Sequence, residues 1–194
     1  MPAAGIALFL LLFLIAAALY PGGHQADPTG PGFSLLWNYW SDLLRGAAVN
    51  GEPNPAQPIA LAGLFALVLS ISTFWCLIPA LFPDLPQAAH AVRAAGPVGA
   101  LLTLLVFTPL HDLVIGASAL LELSAMLVTL RCAHQRGERT VAASGAATLA
   151  LAFATLAVWK TDALPGALPV AQKAAALAVF AWVIVASERA RNAP

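Results

Sequence analysis

The chain has 194 residues, of which 60% are hydrophobic and 9% charged, and its formal net charge at pH 7 is zero. A soluble domain carries about a quarter charged residues, so this composition argues against a soluble globular fold and for a membrane protein folded as one compact bundle. With no basic block and no basic–aromatic strip, it also argues against nucleic acid as a partner. The two cysteines, Cys76 and Cys132, lack metal-site spacing.

Six apolar segments are predicted to span the membrane, at residues 5–20, 58–82, 94–110, 111–131, 141–159 and 168–187. Each approaches the roughly 20 residues that cross about 30 Å of hydrocarbon as a helix. The fold class expected is therefore all-α, a single six-helix transmembrane bundle over residues 1–194. The first segment lacks a Lys or Arg n-region, which favours a retained helix over a cleaved signal peptide.

Orientation follows from the basic residues. Arg93, Arg131, Arg136, Arg139, Arg189 and Arg191 fall on the side of both termini, while Arg45 and Lys160 fall on the other, with Lys173 just inside the sixth span. The positive-inside bias predicts cytoplasmic termini. Both cysteines then lie near cytoplasmic helix ends, where a structural disulfide is disfavoured.

The long connection 21–57 faces outward. Turn residues punctuate it, and residues 33–45 (FSLLWNYWSDLLR) are its helical stretch. As a helix, this stretch puts Phe33, Leu36, Trp37, Trp40, Leu43 and Leu44 on one side and Ser34, Asn38, Ser41, Asp42 and Arg45 on the other. That division suits an amphipathic helix lying on the membrane between spans one and two. The 3–4 connection is read as a tight turn with His111 and Asp112 at its tip. Ala146, Ala150 and Ala154 recur every fourth residue in span five and are read as helix-packing positions. The alanine-rich spans five and six are also the expected face for a homo-oligomer.

Ionisable residues are costly in a bilayer and usually turn inward. On span four, His111, Ser118 and Glu122 share a face, with Glu122 about 16 Å below the outer tip at 1.5 Å per residue. Together with Lys173 they suggest a polar column that opens outward beneath a lid. In that reading Trp37 and Trp40 seat the lid, and Asn38, Asp42 and Arg45 meet a lipid headgroup or other amphiphile. His111, Asp112, Ser118, Glu122 and Lys173 line the cavity. The plainer readings stand beside it. Glu122 is a neutral acid bonded to a nearby hydroxyl, Lys173 snorkels to the surface, and His111 is an interfacial histidine. Asp42 and Arg45 form a weak surface ion pair, Trp37, Tyr39 and Trp40 anchor the interface, and Lys160 with Asp162 is a solvated turn pair.

Specific chemistries find thin support. The four histidines are split between the two sides, which disfavours a three-histidine zinc centre, although His24 and His111 with outer carboxylates leave a mixed site open. A Ser–His–Asp hydrolase would have to draw Ser41 or Ser118, His111, and Asp112 or Asp42 from separate elements, and G-x-S-x-G is absent. Acid–base work by His111 with Asp42 or Asp112 is equally open. A retinal-type Schiff base on Lys173 is disfavoured by its shallow position, and no cofactor is expected.

The runs YPGG at residues 20–23, GFSLLWNYWSDLL at 32–44 and NGEPN at 50–54, with PLHDLVIGAS at 109–118 and LPVAQKAAALAVFAW at 168–182, resemble a group of bacterial six-span integral membrane proteins catalogued as a domain of unknown function. The resemblance covers nearly the whole chain. It implies a six-helix bundle in the plasma membrane and brings no activity or catalytic residues with it. The leading expectation is a membrane protein binding a lipid headgroup or other amphiphile in an outward-facing polar pocket. The alternatives are a lipid-directed hydrolase or transferase using His111 with Asp42 or Asp112, and a structural or partner-binding bundle. Membrane lipids are the expected partners.

Overall fold

The computed structural model describes residues 2–161 and 166–193; Asp162 lies outside them. Six helices follow one another: α1 (Pro2–Leu19), α2 (Gln57–Leu77), α3 (Pro86–Leu102), α4 (His111–Gln135), α5 (Arg139–Thr161) and α6 (Leu168–Arg191). With the 3-10 turns that extend α2 to Leu81 and α3 to Leu105, all six are long and apolar enough to cross a membrane.

Successive helices form antiparallel hairpins. On α1 and α2, Gly5 faces Ser70 while Gly63 faces Leu12 and Phe13. On α5 and α6, the Thr148 hydroxyl donates to the Ala178 carbonyl and the Thr155 hydroxyl to the Ala171 carbonyl, both at 3.3 Å. Both termini therefore lie at one end of the bundle, and the 21–57 connection lies at the other.

Two aromatic clusters fill the core. Near the loop end, Phe9 and Phe13 of α1, Trp40 of the loop and Phe180 of α6 interlock. Trp40 stacks on Phe180 with centroids 6.3 Å apart and meets Phe9 edge-on at 5.6 Å. Toward the terminal end, Phe74 and Trp75 of α2 meet Trp182 of α6 at 5.1 and 6.0 Å. Small residues make the second cluster possible. Gly96 of α3 lies against the Trp75 indole, and Gly145 of α5 lies against Trp182 and Leu130. This closeness lets the Trp182 indole N–H donate to the Val141 carbonyl at 3.1 Å.

Several expectations are corrected. The third helix starts eight residues earlier than its apolar run, because Pro86 sits at its first turn, where proline needs no N–H partner. His90 and Arg93 had masked that start. It also ends sooner, so residues 106–110 form the turn, and His111 and Asp112 belong to the first turn of α4. Ala146, Ala150 and Ala154 are exposed. The face of α5 that packs inward carries Val141, Gly145 and Thr148 instead.

The connection is not all turn and helix. Gly22–His24 (β1) pairs antiparallel with Asp27–Pro31 (β2). Gly23, at φ 83°, lies under the Asn50 amide and the Pro28 carbonyl, where a Cβ would stand 2.5 and 2.7 Å from them. No other residue fits that left-handed, crowded position without strain.

The 33–45 stretch is the largest departure from expectation, because it is not a continuous amphipathic helix. A turn closes by the Asn38 N–H donating to the Ser34 carbonyl at 2.9 Å. Tyr39 is extended, at ψ 153°, and only Trp40–Leu44 winds on, as a 3-10 helix. The break resets the phase of the side chains. Asn38 and Asp42 turn inward, at 0% and 7% exposure, while Leu35, Leu36 and Trp37 turn outward at 62%, 61% and 41%.

Candidate functional site: the buried clasp under the first loop

The loop is tied down by three side chains. Asn38 is the centre. Its carboxamide nitrogen donates to the Gly23 carbonyl at 2.8 Å and to Asp42 Oδ2 at 3.0 Å. Its Oδ1 accepts the Ser34 N–H at 2.9 Å. Asp42 Oδ2 also accepts the Tyr39 N–H at 2.9 Å, which caps the 3-10 turn at its start. The site therefore joins the β-hairpin, the turn and the 3-10 helix within a few ångströms.

The third member comes from the last helix. Lys173, one turn into α6 and 9% exposed, donates through Nζ to the Asn38 main-chain carbonyl at 2.5 Å and to the Pro169 carbonyl at 3.1 Å. Asp42 and Lys173 make no direct ion pair; Asn38 stands between them, amide toward the carboxylate and carbonyl toward the ammonium. A buried charge is tolerable only when it is compensated by hydrogen bonds or an opposite charge, and this arrangement supplies both.

Further polar contacts finish the loop. Asn54 donates to the Leu43 and Arg45 carbonyls at 3.2 and 2.8 Å and accepts the Ala56 N–H at 3.0 Å, just before α2 begins. Gln57 donates to the Leu44 carbonyl at 3.0 Å. The Val49 N–H donates to the Tyr20 hydroxyl at 2.9 Å. Burial, and then the negative charge of Asp42, push the Tyr39 phenol above its usual pKa. In the hairpin, hydrogen bonds from the Thr29 hydroxyl and N–H hold the Asp27 carboxyl below the usual aspartate range.

The other expected site residues are distributed differently. Trp40 is seated among Phe9, Phe13 and Phe180. Trp37 instead stacks on His24 at 5.9 Å and covers Gly166 just before α6. Arg45 is exposed and has no ion-pair partner among the described residues. His111 and Asp112 bond each other, Nδ1 to Oδ1 at 3.0 Å, with the Asp112 side chain fully exposed. No hydrogen bond joins them to Asn38, Asp42 or Lys173. The Ser118 hydroxyl donates to the Gly99 carbonyl at 2.8 Å, and the Glu122 stem lies against Gly99, where a Cβ would come within 2.8 Å of its Cγ. Ser118 and Glu122 thus face α3. α4 packs against α3 and α5, whereas α6 packs against α1, α2 and α5. The expected column therefore divides into a clasp beneath the loop and a separate α3–α4 contact.

Asn54 and Gln57 went unrecognised in the sequence. The one signal was polar residues flanking Pro55, immediately before an apolar run. Among the described residues, no group of three or more His, Cys, Asp or Glu side chains is placed to hold a metal ion. No protein-family model, curated protein or solved structure matches the chain.

Proposed function

We propose that the chain is a multi-pass plasma-membrane protein, with both termini cytoplasmic, that engages lipid through a rigid cap on its outer end and not through an open polar pocket. The observation that carries this reading is the mutual closure of Asn38, Asp42 and Lys173. Asn38 and Asp42, which would have met a headgroup, hold backbone instead, and Leu35, Leu36 and Trp37 face outward from the same stretch. The cap begins one residue after α1 ends, and Trp37 rests on Gly166 at the start of α6. This apolar triplet sits at the level of the helix ends, the depth at which tryptophan favours the membrane interface.

The test is fluorescence quenching by lipids brominated near the headgroup, comparing wild type with Trp37→Phe. A clear quenching component that disappears in the variant supports the cap's insertion. Identical quenching in the two proteins removes it.

A second reading rests on His111 and Asp112. Their bond orients the imidazole of a half-exposed histidine beside a carboxylate at the same end of the bundle, an arrangement suited to acid–base work on a lipid headgroup. Mass spectrometry of lipids in membranes holding wild type or His111→Ala decides it. Lipid left unchanged by both proteins counts against catalysis.

A further inference from the structure

A cavity lies at the opposite end of the bundle, independent of the cap. It measures about 420 Å³ and opens between the start of α5 and the end of α6. Glu138, in the turn before α5, lines one wall; Glu188 and Arg189 of α6 line the other; and Ile184 and Val185 lie one turn deeper. At 1.5 Å per residue, the 24 residues of α6 extend about 36 Å, a little beyond the hydrocarbon thickness. The charged rim is therefore at headgroup depth, and the half-buried Ile184 and Val185 are at the depth of the first acyl carbons.

The charges on the rim point to the ligand. Glu188 is matched by Arg191, 3.1 Å away. Glu138 and Arg189 have no ion-pair partner among the described residues, and they do not pair with each other. One cavity thus presents an unmatched carboxylate and an unmatched guanidinium, held apart above an apolar floor. A purely anionic headgroup would leave the Glu138 carboxylate unmatched, and a purely cationic one would leave Arg189 unmatched. The geometry points to a zwitterionic phosphoethanolamine headgroup, its ammonium donating to Glu138, its phosphate accepting from Arg189, and its acyl chains running along Ile184 and Val185. The primary ammonium matters, because three N–H donors satisfy a carboxylate, whereas a quaternary choline has none.

The experiment is lipid retention measured by native mass spectrometry on protein from nanodiscs of equimolar phosphatidylethanolamine, phosphatidylcholine and phosphatidylglycerol. The wild type is expected to retain phosphatidylethanolamine over phosphatidylcholine by about tenfold, about 1.4 kcal/mol. Glu138→Gln should erase that preference, and Arg189→Gln should weaken retention of both zwitterionic lipids. Free phosphoethanolamine should displace the lipid only at high concentration, since it lacks the acyl contacts. Thermal unfolding of each variant in detergent checks that the bundle is intact. Equal retention of all three lipids, preference for phosphatidylglycerol, or an unchanged preference in a folded Glu138→Gln protein overturns the assignment.

Discussion

Lys173 donates to the main-chain carbonyl of Asn38 across 135 residues of sequence, joining the last helix to the first connection. Nothing else in the chain ties a charged side chain of one span to the backbone of a loop in this way among the described residues. Replacing Lys173 with methionine keeps the stem and removes the donor. The Asn38 carbonyl is then buried without its partner, at a cost of about 1–3 kcal/mol. The expected result is faster amide exchange confined to residues 33–45, with the helical circular dichroism unchanged. Exchange that rises equally throughout would show that Lys173 supports the bundle and not the loop.

Asn54 makes a second, separable claim. Its side chain serves two carbonyls and one N–H. Asn54→Ala should lower the unfolding free energy by about 2 kcal/mol and loosen the entry to α2, read as exchange at residues 54–57. Asn54→Asp keeps the acceptor and loses the donors, so it should rescue exchange at Ala56 alone.

Gly145 tests helix packing. A methyl group there would meet the Leu130 side chain and stand 2.7 Å from the Trp182 indole nitrogen. Gly145→Ala should destabilise by about 1–3 kcal/mol through overpacking, and Trp182 emission should shift as its bond to Val141 is strained. Gly116, whose Cβ would meet nothing within 4 Å, is the control, and Gly116→Ala should leave Trp182 emission unchanged and cause no loss of stability, since alanine is the better helix former.

The hairpin carries a pH dependence of known sign. The Asp27 carboxyl is depressed chiefly by the Thr29 hydroxyl, then by the Thr29 N–H. A depressed folded pKa means that the contribution is complete above the ordinary aspartate value and is lost as pH falls through the lower folded one. Titration followed by NMR at Asp27 should show its midpoint move upward, toward the ordinary value, in Thr29→Val. An unmoved midpoint would mean that the side-chain bond is not formed.

The six helices were legible because each is a long apolar run, of the length and composition that crossing a bilayer demands. The stretch at 33–45 was not. Its i, i+3, i+4 pattern holds only while the helix is unbroken, and Tyr39, extended between a turn and a 3-10 helix, interrupts it. The side chains read as water-facing, Asn38 and Asp42, are consequently the buried ones. Lys173 was recognised as an unusual residue, but its partner was invisible, because a main-chain carbonyl in a distant loop has no sequence signature. The alanine stripe of α5 was read as packing from its spacing, yet the glycine one residue away is what admits Trp182. Spacing marks a narrow face without saying which face meets a neighbour.

The aromatic cluster of Phe9, Trp40 and Phe180 also constrains the order of biogenesis. Its members come from the first helix, the first loop and the last helix. A nascent chain therefore holds an unfinished cap while the five later helices are made. The cap can close only after residue 180 has left the ribosome and α6 has packed beside α1. Until then its apolar underside lacks the Phe180 ring that completes it, so closure of the cap waits for the last of the six helices.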